Sequence, residues 1–217
     1  MRKLLLTSAG TNVKEEIIKI LPKSPYKLKV AYIITASKPE LDKNYALVDR
    51  NELLKIGFQI EDLDIEEKNE KELRKILIDK DIIYVQGGNP FYLLRAVKES
   101  GFDKVVKEMI SKGKIYIGVS AGSSIACPTI EQAYWKNLDK NIVGLRDLTA
   151  LNFVPFLLVA HFEEKYRESV ELGANKTQLP VVALSDVQAV LIEDGKWKVV
   201  GKGKKEFFNG FIETLVK

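Results

Sequence analysis

A serine flanked at two residues on either side by glycine, Gly118-Val119-Ser120-Ala121-Gly122, stands in a context suited to nucleophilic chemistry. The apolar run Ile115–Val119 leads into it and small helix-forming residues, Ser123-Ser124-Ile125-Ala126, leave it. Strand, sharp turn and helix in that order form a nucleophile elbow, which projects a hydroxyl outward at the end of a sheet. The glycines let neighbouring backbone approach, and the helix start brings amide N–H groups to the reacting centre. A serine hydroxyl needs a base, and the chain has one histidine, His161, at the end of the apolar run Phe156–Ala160. The base in turn needs a carboxylate to hold its other ring N–H. Asp186 follows the apolar run Val181–Leu184 and is favoured; Glu131 and Asp139, on the segment leaving the elbow helix, are its rivals. Glu163 and Glu164 read instead as acids opening a helix. A second glycine turn, Gln86-Gly87-Gly88-Asn89-Pro90, lacks both nucleotide-binding glycine patterns. Its better reading is that the Gly88 N–H pairs with that of Ala121 as an oxyanion hole.

These residues need a scaffold that delivers them to one crevice. Strands are expected at Lys3–Thr7, Lys29–Thr35, Gln59–Leu63, Ile82–Gln86, Ile115–Val119, Phe156–Ala160, Val181–Leu184, Ala189–Ile192, Lys198–Val200 and Glu206–Phe208. The first five are continuous apolar runs, as strands buried on both faces of a parallel sheet are. Helical patterns alternate with them: Val13–Ile20 after Asn12 as N-cap, Tyr45–Ile56 before Gly57, Glu70–Ile78, Pro90–Lys98, Phe102–Ser111 and Glu163–Gly173. The expectation is one α/β domain over 1–217. Its sheet is doubly wound and mostly parallel, with helices on both faces and a small antiparallel C-terminal edge from Ala189 on. In such a sheet the strand ends converge on one crevice, where Ser120 and His161 can meet.

Composition narrows the partners. With 217 residues, 46% of them apolar, the chain can bury a core without staples. The single cysteine, Cys127, excludes a disulfide framework and a multi-cysteine metal site, so no metal and no cofactor is expected. The net charge of +4 from 34 basic and 30 acidic residues is small, and the mixed run Glu66–Glu72 reads as a solvated helix face. Lys202-Gly203-Lys204-Lys205 reads as a turn between terminal strands, not a nucleic-acid stripe. The short apolar start Leu4-Leu5-Leu6 reads as a buried strand, no stretch approaches the roughly 20 residues that span a bilayer, and a cytoplasmic location without membrane partner is expected.

Several motifs in order along the chain resemble the peptidase E (aspartyl dipeptidase) and cyanophycinase family of serine peptidases. They are Gln86–Pro90, Gly118–Ser123, Cys127-Pro128-Thr129-Ile130, Ala150–Phe156, Ala160-His161-Phe162 and Val182–Asp186. The base stands in Val159-Ala160-His161, where the family pattern has Asn-Pro-His. The resemblance implies a fold like class I glutamine amidotransferases and a Ser–His–acid triad. By position, Ser120 matches the nucleophile, His161 the base, Asp186 the acid, and Gly88 and Ala121 the amide donors. It implies a small-peptide substrate, with Asp-X dipeptides in view, and Arg146 and Arg167 are candidates to grip an aspartyl carboxylate. A homodimer is open as the assembly. Two other readings compete: an amidase- or esterase-type acyl hydrolase at the same site, and a non-catalytic binding domain on the same fold.

Overall fold

The computed structural model describes residues 2–215. Along the chain run β1 Lys3–Thr7, α1 Lys14–Lys19, β2 Lys29–Ile33, α2 Asn44–Ile56, β3 Gln59–Leu63, α3 Glu70–Leu77, β4 Ile82–Val85, α4 Pro90–Ser100, α5 Phe102–Ser111 and β5 Ile115–Val119. Then follow α6 Ala121–Ser124, β6 Leu157–Val159, α7 Arg167–Ala174, β7 Val181–Ala183, β8 Gln188–Glu193, β9 Lys196–Gly201 and β10 Glu206–Phe208. Seven strands form the main sheet in the order β3-β2-β4-β5-β1-β8-β9. The first five of these are mutually parallel, and β8 and β9 close one edge antiparallel.

Alternation along the central strands sends side chains to two cores. Leu4, Leu6, Ile83, Val85 and Tyr116 face a core shared with α3, α4, α5 and α6. Leu5, Tyr32, Tyr84, Ile117 and Val119 face a second core closed by α1 and α2. Both faces are therefore apolar, which is why these strands read as unbroken hydrophobic runs. The helix ends follow local chemistry. Gly57 and Gly101 take left-handed backbone after α2 and α4, and Asn69 makes a full capping box with Glu72 at the start of α3. Among the described residues no helix is long and apolar enough to cross a membrane.

Three expectations need correction. β6 and β7 are not in the main sheet; with β10 they form a separate three-stranded sheet, β6 parallel and β10 antiparallel to β7. Glu206–Phe208 thus leaves the C-terminal meander, because Phe208 packs onto the apolar core that these strands share with the helices. Asn12 caps nothing: a 3₁₀ turn over Gly10–Val13 precedes α1, without a side-chain cap. The helix expected from Glu163 begins at Arg167, after a 3₁₀ turn over Glu164–Tyr166.

Candidate active site

β5 ends beside β1, with Thr7 paired to Val119. The next residue, Ser120, has φ +46° and ψ −104°, a conformation that L-residues avoid. Backbone held there costs about 1–3 kcal/mol and persists only where the surroundings enforce it. Here the Ser120 N–H donates to Thr7 O (3.0 Å), while Ser120 O accepts from the Ser123 and Ser124 N–H groups. The Ser123 hydroxyl also donates to Thr7 O (2.8 Å). Gly122 is required at the turn, since a Cβ there would lie 2.1 Å from Val85 O.

His161 and Asp186 arrive from the second sheet, at the ends of β6 and β7, and not from the main sheet as expected. The two sheets place their strand ends at one crevice. Ser120 Oγ lies 2.9 Å from His161 Nε2, and His161 Nδ1 lies 2.6 Å from Asp186 Oδ1. A carboxylate can only accept, so Nδ1 carries the proton and Nε2 faces the serine as an acceptor. The bond to His161 holds the Asp186 carboxyl below its usual range. The rivals fall away on geometry. Asp139 lines the same cavity but has no hydrogen bond to the imidazole, and Glu131 does not line it.

One residue of the constellation escaped the sequence reading. Ser8, fully buried after β1, donates its hydroxyl to Asp186 Oδ1 (2.9 Å) and accepts from the His161 N–H (2.7 Å). It ties Asp186 to His161, which sits at φ +52°. Nothing in Thr7-Ser8-Ala9 marks that task, because both partners are more than 150 residues away. Ser8→Ala removes two hydrogen bonds of about 1 kcal/mol each, so kcat is expected to fall roughly tenfold or more with little change in KM. Steady-state kinetics on the purified variant checks this.

The Gln86–Pro90 turn lies against the elbow: a Cβ on Gly87 would sit 3.1 Å from Ser120 Cβ. Among the described residues, neither the Gly88 nor the Ala121 N–H is engaged by another backbone or side-chain group. Gln86 braces the turn. Its Oε1 accepts from the Gly87 N–H (2.6 Å), and its Nε2 donates to Asp49 (2.8 Å) and to the Tyr32 hydroxyl. Asp49 also accepts from Tyr84 (2.7 Å) and from the Thr11 N–H (2.7 Å). Asn89 caps α4 and donates to Lys140 O (2.9 Å), linking the turn to the segment after α6. Gly88 has φ +135°, and a Cβ there would lie 2.2 Å from Ala36 O. Gly88→Ala must therefore shift this turn. If the Gly88 N–H serves as an oxyanion donor, its displacement is expected to lower kcat about 10²–10³-fold, measured on a cleaved substrate alongside the melting temperature.

The Ser120 hydroxyl opens into a cavity of about 490 Å³. Among the described residues Lys136 is the one lysine or arginine side chain in its wall. Its ammonium donates to Ala160 O (2.5 Å) and, at 3.4 Å, to His161 O, and burial lowers its pKa. Arg146 and Arg167 do not line the cavity, against expectation. Arg167 is drawn away into ion pairs with Glu164 and Glu206. Cys127 is buried, which pushes its thiol up to about 12 and leaves it unfit as a nucleophile.

The sequence model of peptidase family S51 matches residues 4–200. The chain belongs to peptidase family S51. Its S51 relatives include an uncharacterized peptidase of Pasteurella multocida strain Pm70, 34% identical over 198 residues, covering 89% of this chain and 95% of that one. Peptidase E of Nostoc sp. strain PCC 7120 is 27% identical over 217 residues, covering 92% of this chain and 86% of the relative. A crystal structure of a Listeria monocytogenes EGD-e protein, provisionally named peptidase E, superposes with a TM-score of 0.82 at 31% identity, over 94% of this chain and all of the other. Family membership makes the chain a serine peptidase, and the α/β sheet architecture is that of peptidase E structures.

Proposed function

We propose that this S51 member hydrolyses short peptides by acyl transfer through Ser120. His161 acts as general base and acid, Asp186 as its orienting carboxylate, and the Gly88 and Ala121 N–H groups as oxyanion donors. The observation that carries the reading is the continuous hydrogen-bonded line from Ser120 Oγ through His161 to Asp186, at 2.9 and 2.6 Å. In the first half-reaction Ser120 Oγ attacks the scissile carbonyl carbon, and its proton passes to His161 Nε2. The carbonyl oxygen becomes an oxyanion held by the two amides. Collapse breaks the C–N bond, the leaving amine takes the proton from His161, and an acyl-enzyme remains. Water then repeats the sequence, giving up a proton to His161, and releases the acid and the free serine.

Asp-X dipeptides are the first substrates to test, because the motif resemblance to the aspartyl dipeptidases implies them and Lys136 brings a cation to the cavity wall. The test has two stages. A fluorophosphonate probe is expected to label the wild-type chain at Ser120, located by peptide mass mapping. A chain that resists labelling is a binding domain, and the reading fails. A panel of Asp-X dipeptides, other dipeptides and p-nitrophenyl esters then separates peptidase from esterase. Peptide turnover well above ester turnover is expected; the reverse assigns the site to an amidase- or esterase-type acyl hydrolase.

A further inference from the structure

α2 turns two side chains onto the glycine turn beside Ser120. Tyr45 and Asp49 stand four residues apart, on one helix face. The Tyr45 hydroxyl donates to Gly87 O (3.4 Å), the carbonyl of the same peptide unit that carries the Gly88 N–H. Asp49 lies deeper, at 7% exposure. Its Oδ2 accepts from the Tyr84 hydroxyl (2.7 Å) and from Gln86 Nε2 (2.8 Å), and its Oδ1 from the Thr11 N–H (2.7 Å). All three donors are neutral. Burying a carboxylate on neutral donors is costly, and an apolar side chain of similar size would fill the space at no such cost. What the carboxylate does instead follows from the two sides it serves.

The Oδ2 side fixes the Gln86 carboxamide. Its nitrogen faces Asp49 and the Tyr32 hydroxyl, whose own proton goes to Ala46 O (2.9 Å). Oε1 is thereby left to accept from the Gly87 N–H (2.6 Å). A flipped carboxamide would set Oε1 against the carboxylate and Nε2 against the Gly87 N–H. The Oδ1 side fixes the loop after β1. In that loop Thr7 O accepts from the Ser120 N–H, Thr7 Oγ1 accepts from the Gly10 N–H (3.0 Å), and Ser8 bonds Asp186 and His161. The fit is close: Gly10 has φ +54°, and a Cβ there would lie 2.2 Å from Asp49 Oδ1.

We propose that Asp49 is a positioning residue for catalysis, which holds the Gln86–Pro90 turn and the loop that carries Ser8 in fixed relation to each other. Only a carboxylate presents acceptors to both. An asparagine keeps an acceptor towards Thr11 or towards Gln86 and aims an N–H at the other. Facing Gln86, that N–H makes the carboxamide flip and drives Nε2 against the Gly87 amide, which moves the Gly88 N–H. This rests on the acyl-transfer reading of Ser120.

The test is kinetic, on the full chain, with the best substrate of the panel and active sites counted by fluorophosphonate. Asp49→Asn is expected to lower kcat roughly tenfold or more per labelled site, with KM within about twofold, and to slow labelling by a similar factor. Gln86→Glu sets two carboxylates together and should be as slow. The double variant Asp49→Asn/Gln86→Glu reverses the pairing: the new asparagine donates to the new glutamate, whose other oxygen still accepts from the Gly87 N–H. Its kcat should return to within about threefold of wild type. A residue that only supports the fold would lower the melting temperature and the number of labelled sites, and not the rate at each site. The proposal is overturned if Asp49→Asn keeps both kcat and labelling rate within about twofold of wild type, or if the double variant is no faster than Asp49→Asn. Should Asp49→Asn fail to fold, a double variant no faster than Gln86→Glu overturns it. A wild-type chain that resists labelling instead overturns the acyl-transfer reading itself.

Discussion

Ser120→Ala is expected to abolish peptide turnover, with a loss approaching 10⁶ in kcat, while the melting temperature stays near that of the wild type. Among the described residues the side chain meets only His161 in hydrogen bonding, so its hydroxyl holds up no other part of the described fold. The backbone contacts that force φ +46° run through Ser120 N and O and survive the substitution. His161→Ala should be nearly as damaging, because a hydroxyl without a base is a poor nucleophile at neutral pH. The double variant should be little worse than either single one. Residues that act as one unit lose most of their effect once any member is gone. Kinetics on a confirmed substrate, with a fluorophosphonate time course, checks all three. Near-wild-type turnover in Ser120→Ala would remove that serine from the chemistry, and additive losses in the double variant would uncouple it from His161.

Asp186→Asn is expected to lower kcat by about 10⁴, the size reported for the equivalent exchange in a serine protease triad. Asp186 Oδ1 accepts from both His161 Nδ1 and Ser8 Oγ. An asparagine in that place offers an N–H to one of them. If it faces the imidazole, Nδ1 must become the acceptor, and the proton moves to Nε2, where it blocks attack by Ser120. The imidazole bond lowers the Asp186 pKa, so the carboxylate stays ionised through the neutral range and its contribution fades only on acidification. Glu131→Gln and Asp139→Asn serve as controls. Each should leave the catalytic step largely intact. If Asp186→Asn is nearly silent while a control is crippled, the acid is misassigned. Mild effects in all three would leave a Ser–His dyad.

How legible this was differs residue by residue. The elbow is local: Ile115–Val119, the Gly118 and Gly122 spacing and the small residues behind them determine strand, turn and helix within about a dozen positions. The Gln86–Pro90 turn is local too, with Asn89 capping the helix that Pro90 begins. His161 could be singled out because no other imidazole exists in the chain. Asp186 was singled out by its place after an apolar run, and it does follow β7, although that strand belongs to the second sheet. β6 and β7 have the same buried apolar character as the main-sheet strands, and burial on both faces erases any mark of which sheet a strand joins. Their pairing with β10 is a non-local choice, made where Phe208 and its neighbours complete the core.

The sequence by itself determined the fold class and singled out Ser120 and His161 as candidate nucleophile and base, because each rests on a short-range pattern or on a unique residue. The tertiary structure decided which carboxylate meets the imidazole and that Ser8 links Asp186 to His161. It also brought Glu40, Lys136 and Asp139 from separate segments into one cavity wall. Those outcomes depend on contacts between segments far apart in the chain, and no local periodicity or spacing carries information about them.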